Sequence, residues 1–255
     1  MSLPVAKGKR EVWEARAKEL GIQLSSVLCR GLPPHLNAAM DDWHRRLLQQ
    51  HFLSELALHA RVLDGGCGYG RVSHFLHETR PDLEIIGGDL AHAYCVVFTK
   101  FVGAPAICMS LERSAFAPNT FDGIVAMNAL MYLDTAAQTI ALQQLRESLV
   151  PGGKLFLLEP GLEYFSLLSR IGFGSPTGGQ GFSLRSFRDL ATSEEWRILK
   201  SGSALAFSAC LPLMGLVARL GLNLSWPAKL ALRWDGHSAQ LSKWSAYRWQ
   251  LLQRI

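Results

Sequence analysis

The run Ala60-Arg-Val-Leu-Asp-Gly-Gly-Cys-Gly-Tyr-Gly-Arg71 sets four glycines within six residues, directly behind an apolar pair and an acid. Val62 and Leu63 end a short apolar stretch, Asp64 follows, and Gly65, Gly66, Gly68 and Gly70 come next. Beyond Arg71, residues Val72, Phe75 and Leu76 fall at helical spacing. The pattern predicts a strand, a glycine turn and a helix, a unit that brings backbone N–H groups close to a ligand.

A dinucleotide fingerprint needs two residues between its second and third glycines, and here only Tyr69 separates Gly68 from Gly70. The acid at the strand end would repel a pyrophosphate and attract an ammonium group. Asp64 therefore argues for a ligand with a positive group, such as the amino end of S-adenosylmethionine. Val62-Leu-Asp-x-Gly-Cys-Gly-x-Gly70 resembles the first motif of class I S-adenosylmethionine-dependent methyltransferases. The alternative is a glycine turn that serves packing alone. The resemblance implies a cofactor site at Asp64, Gly65, Gly66, Cys67 and Gly68, with S-adenosylhomocysteine as product. It also implies an α/β fold: a Rossmann-like, seven-stranded, mostly parallel sheet with an antiparallel last strand, N-terminal helices and a helical insertion before that strand.

The 255 residues suit one domain with appendages. With 49% hydrophobic and 18% charged residues the chain can bury a sizeable core. A net charge of +5 allows an anionic partner or a membrane surface and proves neither. Cys29, Cys67, Cys95, Cys108 and Cys210 show no Cys-x-x-Cys spacing and read as reduced thiols, hence a cytoplasmic location. Met1 to Arg16 is charged from the outset, so no signal peptide is expected.

Lys9 to Leu20 reads as a helix stopped by Gly21, and Pro33 and Pro34 open a second that runs toward Leu56. The resemblance makes residues 1–59 a helical lid and residues 60–255 the methyltransferase domain. Trp13, Trp43 and His44 are its candidate lid residues, with simple packing on the sheet as the alternative.

Leu83 to Gly88 is an apolar run ending in Asp89, about twenty residues after the glycines, where a carboxylate can hold both ribose hydroxyls. Asp89 as a mere helix cap is the alternative. Leu90 would lie against the adenine. Ala106 to Met109 reads as the third strand. Ser110 stands where the resembled family often has an acid, and Glu112 follows, so either could meet the adenine amino group, with the Leu111 N–H on the ring. Ile124 to Met127 is the next strand, and the resemblance puts Asn128 and Ala129 below the reactive methyl. Tyr132 could line the acceptor pocket or belong to the core. Ala136 to Leu149 is helical, Val150-Pro-Gly-Gly153 breaks it, and Lys154 to Leu158 is a strand. This Pro-Gly-Gly turn is a second family signature, and the resemblance spans about Ala60 to Glu159.

Gly161 to Gly181 reads as a loop-rich stretch, and Ser183 or Ser186 as the cap of a helix reaching Glu195. Trp196 to Phe207 is expected as a strand and Trp244 to Ile255 as its antiparallel partner, with an insertion at 208–242 of short helices. Ser201 to Ala218 carries no charge, but Pro212 and Gly215 weaken a membrane span. That leaves a candidate peripheral membrane contact through 203–232, or packed core.

A sulfonium methyl is already electrophilic, so the protein mainly positions it. A base is needed only for an acceptor that must lose a proton. His44, Tyr132, Glu159 and Tyr164 are candidates. His74 and His77 read as surface or packing residues, and no metal is expected. Asn128-Ala-Leu-Met131 lacks the prolines of enzymes that methylate base amines or glutamine amides, so no nucleic-acid partner is expected. The charge-poor, apolar insertion favours a small lipophilic acceptor: quinone-like, lipid or secondary metabolite. A homodimer is compatible with the sequence. The alternatives are a nucleic-acid or protein methyltransferase, or a binding module without catalysis.

Overall fold

A computed structural model describes residues 4–30, 32–170, 179, 181–189, 195–220, 222, 225–235 and 240–255. Seven strands form one sheet: β1 Arg61–Gly65, β2 Glu84–Asp89, β3 Ala106–Cys108, β4 Phe121–Met127, β5 Leu149–Pro160, β6 Trp196–Ser203 and β7 Tyr247–Arg254. Their order is β3-β2-β1-β4-β5-β7-β6. The first five neighbours pair in parallel, and β7 runs antiparallel to both β5 and β6. The expected sheet is therefore the observed one.

Both faces of the sheet are covered, so β1 and β4 read as continuous apolar runs. The strand pleat sorts neighbours to opposite sides. Val125, Phe156 and Leu251 join Trp43, Leu47 and Phe52 on one face, while Ile124, Leu157 and Leu252 join Leu142 and Leu145 on the other. The first group is reached by α3 (Pro34–Leu47), the second by α6 (Thr135–Ser148). Gly123 makes room for this layer: a Cβ there would stand 2.8 Å from the Phe52 ring.

Helices α1 (Pro4–Leu20) and α2 (Leu24–Val27) precede α3, which continues into a π turn at Leu48–Phe52 and a 3-10 turn at Leu53–Glu55. The helix expected to run to Leu56 thus changes pitch near its end. The β1 glycine turn leads into α4 (Arg71–Thr79), and α5 (His92–Val102) follows β2. The Pro-Gly-Gly segment lies within β5, not before it. Phe121 pairs with Leu149 and Gly123 with Lys154, so Val150 to Gly153 form a bulge, with Gly152 at φ 80°.

After β5 come α7 (Leu162–Arg170) and α8 (Leu184–Asp189). Ser183 caps α8 by accepting the Ser186 N–H at 2.9 Å. The expected extension to Glu195 and part of the Gly161–Gly181 stretch fall on residues 171–178, 180 and 190–194, outside the described set; the rest of that stretch is not the expected loop, since Leu162–Arg170 is α7. β6 ends at Ser203 instead of Phe207, because α9 (Leu205–Arg219) begins there. Asp235, at the far end of α10 (Trp226–Asp235), accepts the Ala206 and Phe207 amides, both at 2.8 Å. A cap supplied by an acid thirty residues downstream leaves no local signal in the sequence.

Arg248 is wholly buried in β7. It donates to the Phe182 carbonyl at 2.7 Å, the Ser242 carbonyl at 2.8 Å and Glu163 Oε2 at 2.7 Å. One guanidinium thereby ties the C-terminal strand to α7 and to the α8 approach. Arg248→Ala should cost about 3–5 kcal/mol by leaving Glu163 and two carbonyls short of their donor. Urea denaturation measures it, and a loss under about 1 kcal/mol would contradict the role.

Candidate active site

A cavity of about 260 Å³ opens at the carboxyl ends of β1, β2 and β4. Its floor is the glycine turn. Gly66 and Gly68 take positive φ values, 80° and 53°, and their missing side chains let Ala129 and Val27 approach: a Cβ on either glycine would stand 2.5 Å from those residues. The Gly66 and Cys67 amides both donate to the Gly88 carbonyl, at 2.7 and 3.1 Å, which joins the turn to the end of β2.

Two carboxylates edge this floor. Asp64 accepts the Ser73 hydroxyl at 2.7 Å. Asp89 accepts the Gly68 amide at 2.8 Å and the Ala91 amide at 2.9 Å. Burial pushes each carboxyl up to about 6, against the hydrogen bonds that pull it down. Leu90 and the loop residues Ser110, Leu111 and Glu112 continue the wall. The Ser110 hydroxyl sits 3.3 Å from both the Glu112 amide and Glu112 Oε2.

Asn128 and Ala129 close the third side. Asn128 sits in the left-handed region at φ 56°, and its Oδ1 is buried with no hydrogen-bond partner among the described residues. A non-glycine residue held there is strained, and such strain gathers at ligand sites. Tyr132 and Leu133 form the remaining wall with Lys9 and Trp13 of α1. Trp13 meets the Tyr132 ring edge-on at 4.8 Å, and the Lys9 ammonium donates to the Tyr132 carbonyl.

Among the residues singled out from the sequence, Asp64, Gly66, Cys67, Gly68, Asp89, Leu90, Ser110, Leu111, Glu112, Asn128, Ala129 and Tyr132 border this one cavity. Gly65, His44 and Glu159 are not part of its lining. His44 is fully buried between Trp43 and Tyr247, and burial together with nearby Arg71 drives its pKa well below the usual histidine value. Trp43 is likewise core. Tyr164 gives its hydroxyl to the Ser208 carbonyl at 2.6 Å. Glu159 accepts the amides of Ala129, Leu130 and Met131 at 3.1, 2.9 and 3.1 Å, so it supports the loop below Asn128 from behind. Burial raises its carboxyl to about 8.

Three contributors escaped the sequence reading. Arg71 borders the cavity and forms a buried ion pair with Asp41 of α3. Ser73 orients Asp64. Glu14 of α1 accepts the His92 and Ala93 amides at 2.6 and 3.1 Å and so caps α5, whose own N-cap is Ala91. Arg71 and Ser73 stand just past the glycines, where a polar residue facing the strand end is a usable signal. Glu14 offers none.

Residues 62–153 match the family model described as a methyltransferase domain. No curated protein sequence matches the chain. Among solved structures, the chain is similar to geranyl diphosphate C-methyltransferase from Streptomyces coelicolor A3(2) in complex with Mg2+, geranyl-S-thiolodiphosphate and S-adenosyl-L-homocysteine. The TM-score is 0.63 at 13% identity, covering 100% of this chain and 99% of that one. It is also similar to magnesium protoporphyrin IX methyltransferase from Synechocystis PCC 6803 with bound S-adenosylhomocysteine (TM-score 0.60, 12% identity, covering 98% and 96%). The N-methyltransferase NodS from Bradyrhizobium japonicum WM9 gives 0.52 at 14% identity over 86% of this chain and 87% of that one. Such likenesses show a common fold.

Above about pH 8, where Glu159 is ionised, Glu159→Gln should cost about 1–3 kcal/mol, because a carboxamide turns a donor toward at least one of the three amides. Chemical denaturation measures this. Unchanged stability with turnover abolished would make Glu159 a reacting group instead.

Proposed function

We propose that this S-adenosylmethionine-dependent methyltransferase of class I passes its methyl group to an O, N or C atom of a small lipophilic acceptor. The observation that carries the cofactor half of the reading is the unpartnered Asn128 Oδ1, an acceptor in the same cavity as the Asp64 carboxylate. Buried acceptors without donors are costly, and an ammonium group would supply the missing N–H bonds. Asp89 spends one oxygen on each of two amides and keeps lone pairs for a ribose diol. Leu90 and Leu111 flank the adenine in this reading, with Ser110 and Glu112 at its polar edge.

Bound S-adenosylmethionine supplies a methyl group made electrophilic by its sulfonium. The protein then has to align an acceptor and keep water away. Trp13, Tyr132 and Leu133 do this on the acceptor side, where aromatic and aliphatic walls favour an apolar molecule. Of the candidate bases His44, Tyr132 and Glu159, only Tyr132 borders the cavity, which supports Tyr132, in its phenolate form, as the base for a hydroxyl acceptor. Helix α1, braced by Trp13, Lys9 and Glu14, acts as the lid.

Calorimetry with S-adenosylhomocysteine tests the cofactor half. Asp89→Ala should weaken binding about tenfold to a hundredfold. The carboxylates of Asp64 and Asp89 must be ionised to accept these bonds, and each loses its charge as the pH falls through about 6. Affinity should thus be flat above about pH 7 and drop below about pH 6, by up to tenfold per unit for each proton taken up. Binding independent of pH down to about pH 5 would remove the two carboxylates from the site. A panel of acceptors tests the other half: turnover confined to polar, charged compounds overturns the lipophilic reading.

A further inference from the structure

Helix α9 is apolar on two sides. Phe207, Leu211 and Met214 are buried against the body of the protein. Leu213 and Leu216 face the outside, and Leu220, just past the end of the helix, is 71% exposed. Helix α10 packs against α9 and repeats the arrangement. Ala228, Ala231 and Leu232 are buried, whereas Trp226, Leu230 and Trp234 form an outer stripe at a spacing of four, the two tryptophans 65% and 72% exposed. A water-facing helix ordinarily carries polar residues on that side. Two adjoining stripes of this size, left open, mark a surface that meets something apolar.

The charges nearby select the partner. Lys229 and Arg233 are exposed on α10, beside the stripe. From Gly202 to Trp234, the stretch that contains both helices, the sequence has three basic residues, Arg219, Lys229 and Arg233, and no Asp or Glu, and Asp235, which follows, is buried as the cap of α9. A pair of helices that presents leucines and tryptophans with basic residues, and no exposed carboxylate of its own among the described residues, complements a bilayer with anionic headgroups: tryptophan rings settle at the headgroup level, and lysine and arginine pair with the phosphates. No helix among the described residues is long and apolar enough to cross a membrane. We propose that the outer faces of α9 and α10 form a peripheral docking surface for anionic lipid bilayers, lying in the interface plane. The proposal rests on this surface alone and stands whatever the acceptor is.

The full chain is sedimented with vesicles of phosphatidylcholine alone and of phosphatidylcholine with an equal part of phosphatidylglycerol, alongside Trp226→Ser/Trp234→Ser and Lys229→Glu/Arg233→Glu. All four positions are exposed, and an unchanged circular dichroism spectrum and thermal midpoint verify that the variants are folded. The wild type should bind the anionic vesicles, release them at high salt, and lose fluorescence to brominated lipid. Each double variant should bind at least about tenfold more weakly. No binding to anionic vesicles, or equal binding by the variants, overturns the proposal. So does a wild type that dimerises in sedimentation while the Trp226→Ser/Trp234→Ser variant is monomeric, since the surface would then be a contact between copies.

Discussion

The bond between the Asp89 carboxylate and the Gly68 amide is the contact on which the site depends. It fastens a turn of left-handed glycines to the end of the neighbouring strand. The paired amides of Gly66 and Cys67 on the Gly88 carbonyl do the same from the other side. Together they hold main-chain groups open toward the cavity, where a side chain on the glycines would have pushed Val27 and Ala129 away. The arrangement is costly. Burial pushes both carboxyls up to about 6, for Asp64 in spite of the nearby Arg71 and for Asp89 in spite of its amide donors.

A second layer of contacts closes the wall. Helix α5 starts at Ala91 with no side chain of its own to satisfy its first amides, and Glu14 reaches across from α1 to do so. Arg16, one turn away, stacks over Trp13 and donates to the carbonyls of Ser25 and Leu28. The N-terminal helix is therefore bonded both to the helix that follows Asp89 and to the segment that carries Val27. The seating of α1 and the capping of α5 thus share one side chain, Glu14.

Acidic residues with the same side-chain chemistry end up in opposite roles. Asp64 and Asp89 border the cavity; Glu159 and Asp235 are turned to backbone amides and serve as caps for elements distant in the chain. Glu159 ends a strand just as Asp64 does, and the residue types alone do not separate them. What separates them is direction: the β4 loop folds back over the end of β5 and covers Glu159 with three N–H groups. His44 is a similar case, since one residue of helical phase puts it against Trp43 and Tyr247 rather than toward the ligand.

Local chemistry was enough to specify the parallel half of the sheet, the glycine turn and both cavity carboxylates. Apolar runs, positive-φ glycines and an acid at a strand end act over a few residues and leave a readable trace from Val62 to Asp89. The antiparallel end of the sheet was legible too, as the expected pairing of the strand from Trp196 with the one that ends the sequence. Tertiary structure alone decided where β6 stops, which acids cap and which line the cavity, and that Arg71 pairs with Asp41. Each of these is a bond between residues 28 or more positions apart or a choice of helical phase. Sequence spacing carries no information about either until the sheet brings the partners together.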